Sequence, residues 1–539
     1  MKIPQDPTER IFFYEDVSRK CLASRNDRRS MYRIYRSYYL NGCSTDGDTP
    51  AKFNKIYPHI DQLTSFLYAQ ETTRFAISLG ASVAETEYRK VPKLTQAIND
   101  EWNNSNTDIV FGQALAWSLV YGSTFVKILW KGNSISTFVV DPHDFGVLRE
   151  DVASLDRQEA VVHTYYISRS ELRNQLENHP QKDSILQKVF ATPVNSDKGL
   201  GALDRIITSA ASPNMIGNVD LDLTMPVGYT PQVAEDLVEM KELHIWDDDA
   251  NDYRVVTIAD PFVIIYERTE EKMFVKGELP FIQVSPSPAY DYFWGVSEVE
   301  RLMPLQNLRN DRMNQIFHML NLQAKPPRAF SGFPGITDEI NRALDVPGGY
   351  VFGDMPSAKV DTLTPQIPQN LFQDLAQIDE MFAEMSGITN VLSGRGEAGV
   401  RSLGHASTLA RLGGSRTKKR ALIVEDSLEK LTTLYLKLLQ IYDKRRYLDD
   451  SNLLFVAAQF TDDFVVKVDA HSNSPIFVED QTQMAFSLFQ AGVITKERLL
   501  DLVQPPMLQL IKQDLKDKIE PAEAAAAASA QEARAQQAA

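Results

Sequence analysis

A chain of 539 residues is longer than one hydrophobic core ordinarily serves, so several domains are expected. Its formal charge of −16 excludes a constitutive nucleic-acid binder, whose surface would be broadly basic. Two cysteines, Cys21 and Cys43, are too few for a disulfide framework, and the opening MKIPQDPTERIFFYEDV lacks the continuous apolar run of a secretory signal.

Residues 8–40 carry helical patterning and end in RRSMYRIYRSYYLNG, where Asn41-Gly42 marks a stop. There Arg28, Arg29, Arg33 and Arg36 interleave with Tyr32, Tyr35, Tyr38 and Tyr39. Two readings stand: a surface that stacks bases and holds phosphates, or an amphipathic helix whose tyrosines pack while its arginines are solvated. A second helical stretch, NKIYPHIDQLTSFLYAQ, follows the turn-rich STDGDTP. Ile109 to Val126 is 18 residues without a charge, which just reaches membrane-spanning length. Gln113, Ser118, Ser123 and Thr124 interrupt it, and Gly122 breaks it before FVKILW, so it reads as a buried helix followed by a strand. A soluble chain without a membrane partner is expected.

From Thr124 to Ile167 the runs STFVKILW, SISTFVVDP and EAVVHTYYIS read as strands. Residues 194–232 are rich in Gly and Pro and read as loop. VEMKELHIW and YRVVTIAD form a strand pair joined by the acidic turn DDDAND. Asp247, Asp248, Asp249 and Asp252 suit either a divalent cation or a solvated turn, but the Gly and terminal Glu of an EF-hand loop are missing.

Residues 278–325 change character. Ser297 and Glu300 make a capping box, and Val299, Leu302, Leu305, Leu308, Met313, Ile316 and Leu320 supply an apolar stripe. Pro304 predicts a kink or a start near it, and Lys325-Pro326-Pro327 an end. Residues 326–368 are turn-rich, with Pro347-Gly348-Gly349 and a strand-like YVFG. A second amphipathic helix runs from about Pro368 to Met385, on Leu371, Leu375, Ile378, Phe382 and Met385. A long helical pattern spans Ser407 to about Tyr447, with Gly413-Gly414 the place for a bend. NLLFVAAQF and FVVKVDA read as strands, FVEDQTQMAFSLFQAGVITKERLLDLV as helices parted by Gly492. The tail PAEAAAAASAQEARAQQAA has no apolar face to dock and reads as a poorly ordered end.

Between Ser393 and Arg420 the acidic chain turns basic. Arg395, Arg401, Arg411, Arg416, Lys418, Lys419 and Arg420 face one acid, Glu397, giving +6 in 28 residues. Local positive charge on a glycine-rich segment is how an otherwise acidic protein meets a phosphate backbone briefly. The segment contains a G-x-G-x-x-G at Gly394, Gly396 and Gly399, yet a helix precedes it where a dinucleotide site needs a strand. No phosphate-binding P-loop, no G-x-S-x-G elbow and no Cys-x-x-Cys is present, and the eight histidines form no i, i+4 pair. The chain is expected to be no enzyme and to need no cofactor or metal. Two other classes remain open: a nucleotide-binding enzyme using the Gly394–Gly399 loop, and a helical scaffold or adaptor without a channel.

The order of elements resembles the portal (head-to-tail connector) proteins of tailed bacteriophages. YRSYYLNG, NKIYPHIDQLTSFLYAQ, WSLVYGSTFVKILW, FVVDPHDFGVL and, most specifically, LPFIQVSP…DYFWGVSEVERLMPLQNLRNDRMNQ carry the likeness, from about Arg28 to Val503. The resemblance implies an α+β, portal-type subunit assembling as a ring. Its wing would be 1–294, rejoined by strands near 452–470, with stem helices at 295–325 and 369–392 flanking a small α/β clip at 326–368. A tunnel loop at 393–406, a long bent helix at 407–447, a helical crown at 474–520 and the alanine-rich tail at 521–539 would follow. It further implies a homo-oligomeric ring, usually a dodecamer, assembled in the host cytoplasm and placed at the head–tail vertex of the virion. Double-stranded DNA would pass through it without sequence preference, during packaging and again at ejection. Capsid and scaffolding proteins, the terminase motor and neck or tail adaptors would be its partners. Arg395, Arg401 and His405, and with them Arg411, Arg416, Lys418, Lys419 and Arg420, would face DNA or the neighbouring subunit; for Arg416 to Arg420 a solvated helix face or inter-subunit salt bridges is the competing reading.

Overall fold

A computed structural model describes residues 1–42, 53–68, 74–80, 83–177, 179–191, 237–260, 262–268, 274–324, 326, 328–331, 359–362, 368, 370–387, 415–449, 453–469, 485–496 and 499–500. In chain order the elements are α1 (Pro7–Asn41), α2 (Ile56–Leu67), β1 (Arg74–Leu79), α3 (Glu85–Tyr88), α4 (Val91–Asn104), α5 (Thr107–Tyr121), β2 (Thr124–Lys131), β3 (Ser134–Val140), β4 (Phe145–Val147), β5 (Ala160–Ser168), α6 (Arg169–Gln175) and α7 (Lys182–Ala191). They continue as β6 (Leu237–Asp247), β7 (Asp252–Ala259), β8 (Val263–Arg268), β9 (Phe281–Val284), α8 (Glu298–Ala324), β10 (Arg328–Ser331), β11 (Lys359–Thr362), α9 (Asn370–Ser386), α10 (Ser415–Tyr442), β12 (Arg446–Leu448), β13 (Leu454–Val456) and β14 (Phe464–Asp469). The fold is mixed helix and sheet. Two compact units divide the chain, one of Met1–Gln62, Ala114–Lys127 and Val139–Glu397, the other of Leu63–Gln113, Ile128–Phe138 and Ala398–Ala539.

The first unit is built on an antiparallel sheet in the order β4-β5-β6-β7-β8. Side chains alternate between its faces, because successive residues of a strand point opposite ways. Val161 therefore joins Phe145, Val147, Phe281 and Trp294 on one side, while Ala160 and Val162 meet Tyr14, Val17 and Cys21 of α1 on the other. Helix α1 starts where Asp6 accepts the backbone N–H of Thr8 and Glu9, each at 3.1 Å. It stops at Gly42, in the left-handed conformation (φ 70°) that the Asn41-Gly42 signal predicted.

In the acidic turn between β6 and β7, Asp248, Asp249, Ala250 and Asn251 are exposed, as a solvated turn requires, while Asp247 and Asp252 are buried. Asp247 accepts from Arg254 Nη2 at 2.6 Å and from the Asp249 backbone N–H at 3.0 Å. Asp248 pairs with the Met1 amine at 3.0 Å, and Asp252 accepts the Gly277 N–H at 2.7 Å. Among the described residues no three acids, histidines or cysteines gather as metal ligands. No described helix is long and apolar enough to cross a membrane; the uncharged 109–126 stretch is α5 and the start of β2, broken at Gly122 (φ 93°).

A buried charged cluster lies between β2 and the large sheet. Lys127 Nζ donates to both oxygens of Glu242 at 2.8 Å, and His244 Nε2 donates to Glu242 Oε1 at 2.7 Å. His163 stands opposite Glu242 on the adjacent strand. Burial, with the Lys127 ammonium beside it, holds the His163 imidazole down to about 3. The unfolded chain takes a proton there near ~6.5 and the folded chain does not, so stability falls as pH drops through that window, by at most ~1.4 kcal/mol per pH unit. Urea midpoints between pH 7 and pH 5 are expected to decline, and a His163→Gln variant to decline less steeply.

In the second unit β14 pairs antiparallel with β1, Arg74 opposite Asp469. Helix α10 packs on β14 and α4, burying Leu428, Leu431, Tyr435 and Leu438. The Tyr435 hydroxyl meets Thr107 Oγ1 and, at 3.0 Å, Ser105 Oγ. Glu101, buried on α4, accepts from Arg445 Nη1 at 2.8 Å, and Asp443 accepts from Arg445 Nε at 2.9 Å. That clamp ends the helix. α10 stops at Tyr442, short of the 447 expected from sequence, because Asp443 turns the chain by accepting the Arg445 N–H at 2.8 Å and β12 begins at Arg446.

Helix α8 opens with the Ser297 half of the expected capping box: Ser297 Oγ accepts the Glu300 N–H at 3.2 Å. Pro304 falls inside the helix, not at its start. Within the segments 295–325 and 369–392 the described helices are α8, Glu298–Ala324, and α9, Asn370–Ser386. β10 and β11, from the expected clip, form an antiparallel pair. The remainder of the clip, the 194–232 loop, the tunnel loop at 393–406, the Gly413-Gly414 bend, most of the crown at 474–520 and the tail at 521–539 lie outside the described residues.

Candidate nucleic-acid interface

Of the predicted contact residues, Arg395, Arg401, His405 and Arg411 lie outside the described residues. Arg416 sits in the first turn of α10, its side chain also outside them. Lys418 and Lys419 are exposed and Arg420 is half-buried, while Thr417 and Ala421 face inward. The structure thus carries Arg416, Lys418, Lys419 and Arg420 on one helix, α10. The first turn holds no acid.

The second phosphate-and-base reading, on α1, fails. Tyr32, Tyr35 and Tyr38 are buried and offer no face to a base. The Arg28 guanidinium lies 4.6 Å from the Tyr292 ring centroid and Arg36 lies 5.1 Å from that of Trp117, both serving internal packing.

Helices α8 and α9 pack as an antiparallel pair within the first unit, and a polar layer fixes them. Asp379 on α9 accepts from Lys55 Nζ at 2.6 Å and Arg309 Nε at 2.9 Å; Arg312 reaches Asp374 at 3.4 Å. Partial burial works against the charged form of Asp379, but the bonds from Lys55 and Arg309 outweigh it and hold the carboxyl below the usual range. Gln306 and Asn310, buried on α8, bind the Phe53 and Gly42 carbonyls at 2.9 and 2.8 Å. Helix α9 has four acids, Asp374, Asp379, Glu380 and Glu384, and no Lys or Arg. With Asp374 and Asp379 turned to cations of the same unit, Glu380 and Glu384 stand exposed, four residues apart and so on one face. Sequence reasoning took α9 only for its apolar stripe; its one-sided charge was legible, whereas its pairing with Lys55, hundreds of residues earlier, was not.

The model of the phage SU10 portal protein family matches residues 87–447. The chain belongs to this family. Among solved structures, a chain from the virion of a native gene transfer agent particle is similar at 9% identity, with 89% of this chain and 94% of that one covered and a TM-score of 0.42. A chain from the neck of an empty gene transfer agent particle, computed with C6 symmetry, gives 8%, 88%, 93% and 0.41. Among curated proteins none matches significantly.

Proposed function

We propose that copies of this chain form a ring, a dodecamer by family resemblance, at the head–tail vertex of a virion, and that double-stranded DNA passes through it during packaging and ejection. The observation that carries this reading is the family match, which runs from α3 to β12 and includes α8, α9 and the whole basic segment. Head-to-tail contacts that close on themselves make a ring with a central hole. An acidic channel wall repels phosphate and lets a duplex slide. Arg395, Arg401 and His405, with Arg411, Arg416, Lys418, Lys419 and Arg420, supply brief, sequence-blind contacts to DNA or meet the neighbouring subunit. The segment 326–368 docks the terminase and then neck or tail proteins, capsid proteins surround the wing, and the role is structural, not catalytic.

Replacing Arg395 and Arg401 together by alanine is expected to reduce packaged or retained DNA while the assembly keeps its size. Each phosphate left without its arginine flattens the salt dependence of DNA retention by about 0.9 in a log–log plot. Unchanged packaging and infectivity would remove the DNA-contact role, and a broken assembly would assign these arginines to the subunit interface instead.

A further inference from the structure

The buried cluster of Lys127, Glu242, His244 and His163 has walls of unequal strength. Strand β5 pairs with β6 over nine residues, and β2 with β9 over four. Phe281 of β9 stands against both imidazoles, its centroid 5.7 Å from that of His163 and 5.4 Å from that of His244, and packs on Phe145 at 5.1 Å. The remaining cover is a strap, residues 274–279, which belongs to no ladder. Its Phe274 ring lies 5.7 Å from the His244 ring and 5.8 Å from Lys127 Nζ. The Gly277 N–H pins it to Asp252 Oδ1 at 2.7 Å, the Glu278 N–H closes a turn on the Val275 carbonyl at 3.3 Å, and Leu279 is buried. Phe274, Val275 and Gly277 are only half-buried, and Lys276 is exposed. Segments with few buried contacts and few backbone bonds are the ones that open locally.

Inside the cluster one ammonium meets one carboxylate, and Glu242 already accepts from both Lys127 and His244. The Nδ1 atoms of His163 and His244 are buried with no hydrogen-bond partner. A proton added at His163 Nδ1 is therefore a buried N–H without an acceptor, beside the Lys127 ammonium. Tyr165, its ring 5.4 Å from that of His163, stays a neutral phenol because burial, with Glu242 and Glu171 nearby, raises it. The strap's own charges are the exposed Lys276 and the half-buried Glu278. We propose that residues 274–279 are an acid-operated cover: a proton bound at His163 is accommodated by lifting Phe274 from the cluster and admitting water, while the β5–β6 and β2–β9 ladders stay paired. His163 stands opposite Glu242 in the β5–β6 ladder, so water admitted at Glu242 reaches it. The covered imidazole is held down to about 3, and the hydrated one returns to ~6.5. The open form thus binds the extra proton and gains as pH falls, by about 25-fold between pH 7 and pH 5.

Hydrogen–deuterium exchange of the purified full-length protein, corrected for intrinsic rates, tests this. The Gly277 and Glu278 amides are expected to be less protected than the β6–β7 ladder and nearly insensitive to dilute urea, whereas the ladder, which exchanges on global unfolding, responds fully. From pH 7 to pH 5 their protection should fall about 25-fold in the wild type and less than about fivefold in His163→Gln. Strap amides that match the ladder in protection and urea response would mean that only global unfolding uncovers the cluster. Protection unchanged at pH 5, or a fall undiminished in His163→Gln, would mean that His163 does not operate the cover. Each of these results overturns the proposal.

Discussion

Replacing Lys127 by methionine is expected to destabilise the first unit by about 3–5 kcal/mol, because it strands a buried carboxylate. Glu242 is inside the protein and accepts two bonds from Lys127 and one from His244. Burial opposes its charged form, yet Lys127 and then His244 outweigh that and hold its carboxyl far below the usual range. Without the ammonium that balance reverses. Removing both charges, as Lys127→Met with Glu242→Leu, should recover much of the loss, since a buried pair exchanged for apolar groups of similar volume is often nearly neutral. Urea unfolding of the three proteins decides it: a single variant within about 1 kcal/mol of wild type would mean that water reaches Glu242 and screens it.

The second large effect is expected at Gly122. It joins α5 to β2 at φ 93°, and a Cβ built there would stand 2.1 Å from the Gly295 carbonyl oxygen. The approach is mutual, because a Cβ on Gly295 would stand 2.3 Å from the Gly122 oxygen. This close passage fixes the start of α8: Gly295 N–H donates to Ser123 Oγ at 2.8 Å, Ser285 Oγ donates to the Gly122 carbonyl at 2.9 Å, and Ser297 Oγ donates to the Val120 carbonyl. Backbone strain and overpacking together predict a cost of about 2–6 kcal/mol for Gly122→Ala. Gly277→Ala is the control. Its φ of 76° is equally unfavourable for alanine but open space surrounds it, so only the conformational penalty of about 1–2 kcal/mol applies. Equal melting shifts for the two variants would show that the backbones at 122 and 295 are not in contact.

Elements were legible where a local rule decides them. The Asn41-Gly42 stop, the Ser297 cap and the α9 periodicity each depend on residues within a turn or two. The tyrosines and arginines of α1 were ambiguous for the same reason: one helix face suits packing and nucleic acid alike, and only burial against Trp117, Tyr292 and Trp294 separates them. The cluster of Lys127, His163, Glu242 and His244 was illegible, because strands distant in sequence bring it together. The hydroxyl group of Thr107 and Tyr435 was hidden likewise. Of the candidate site, charge composition exposed the basic segment at once.

The central claim is that copies of this chain surround an axial channel, and particle images of the purified full-length protein test it most directly. Face-on views are expected to show closed rings with a hole wide enough for a duplex, and native mass measurements to give a whole multiple of the 60.8 kDa chain. A population of monomers at every concentration tried, or compact particles with no opening, would contradict it.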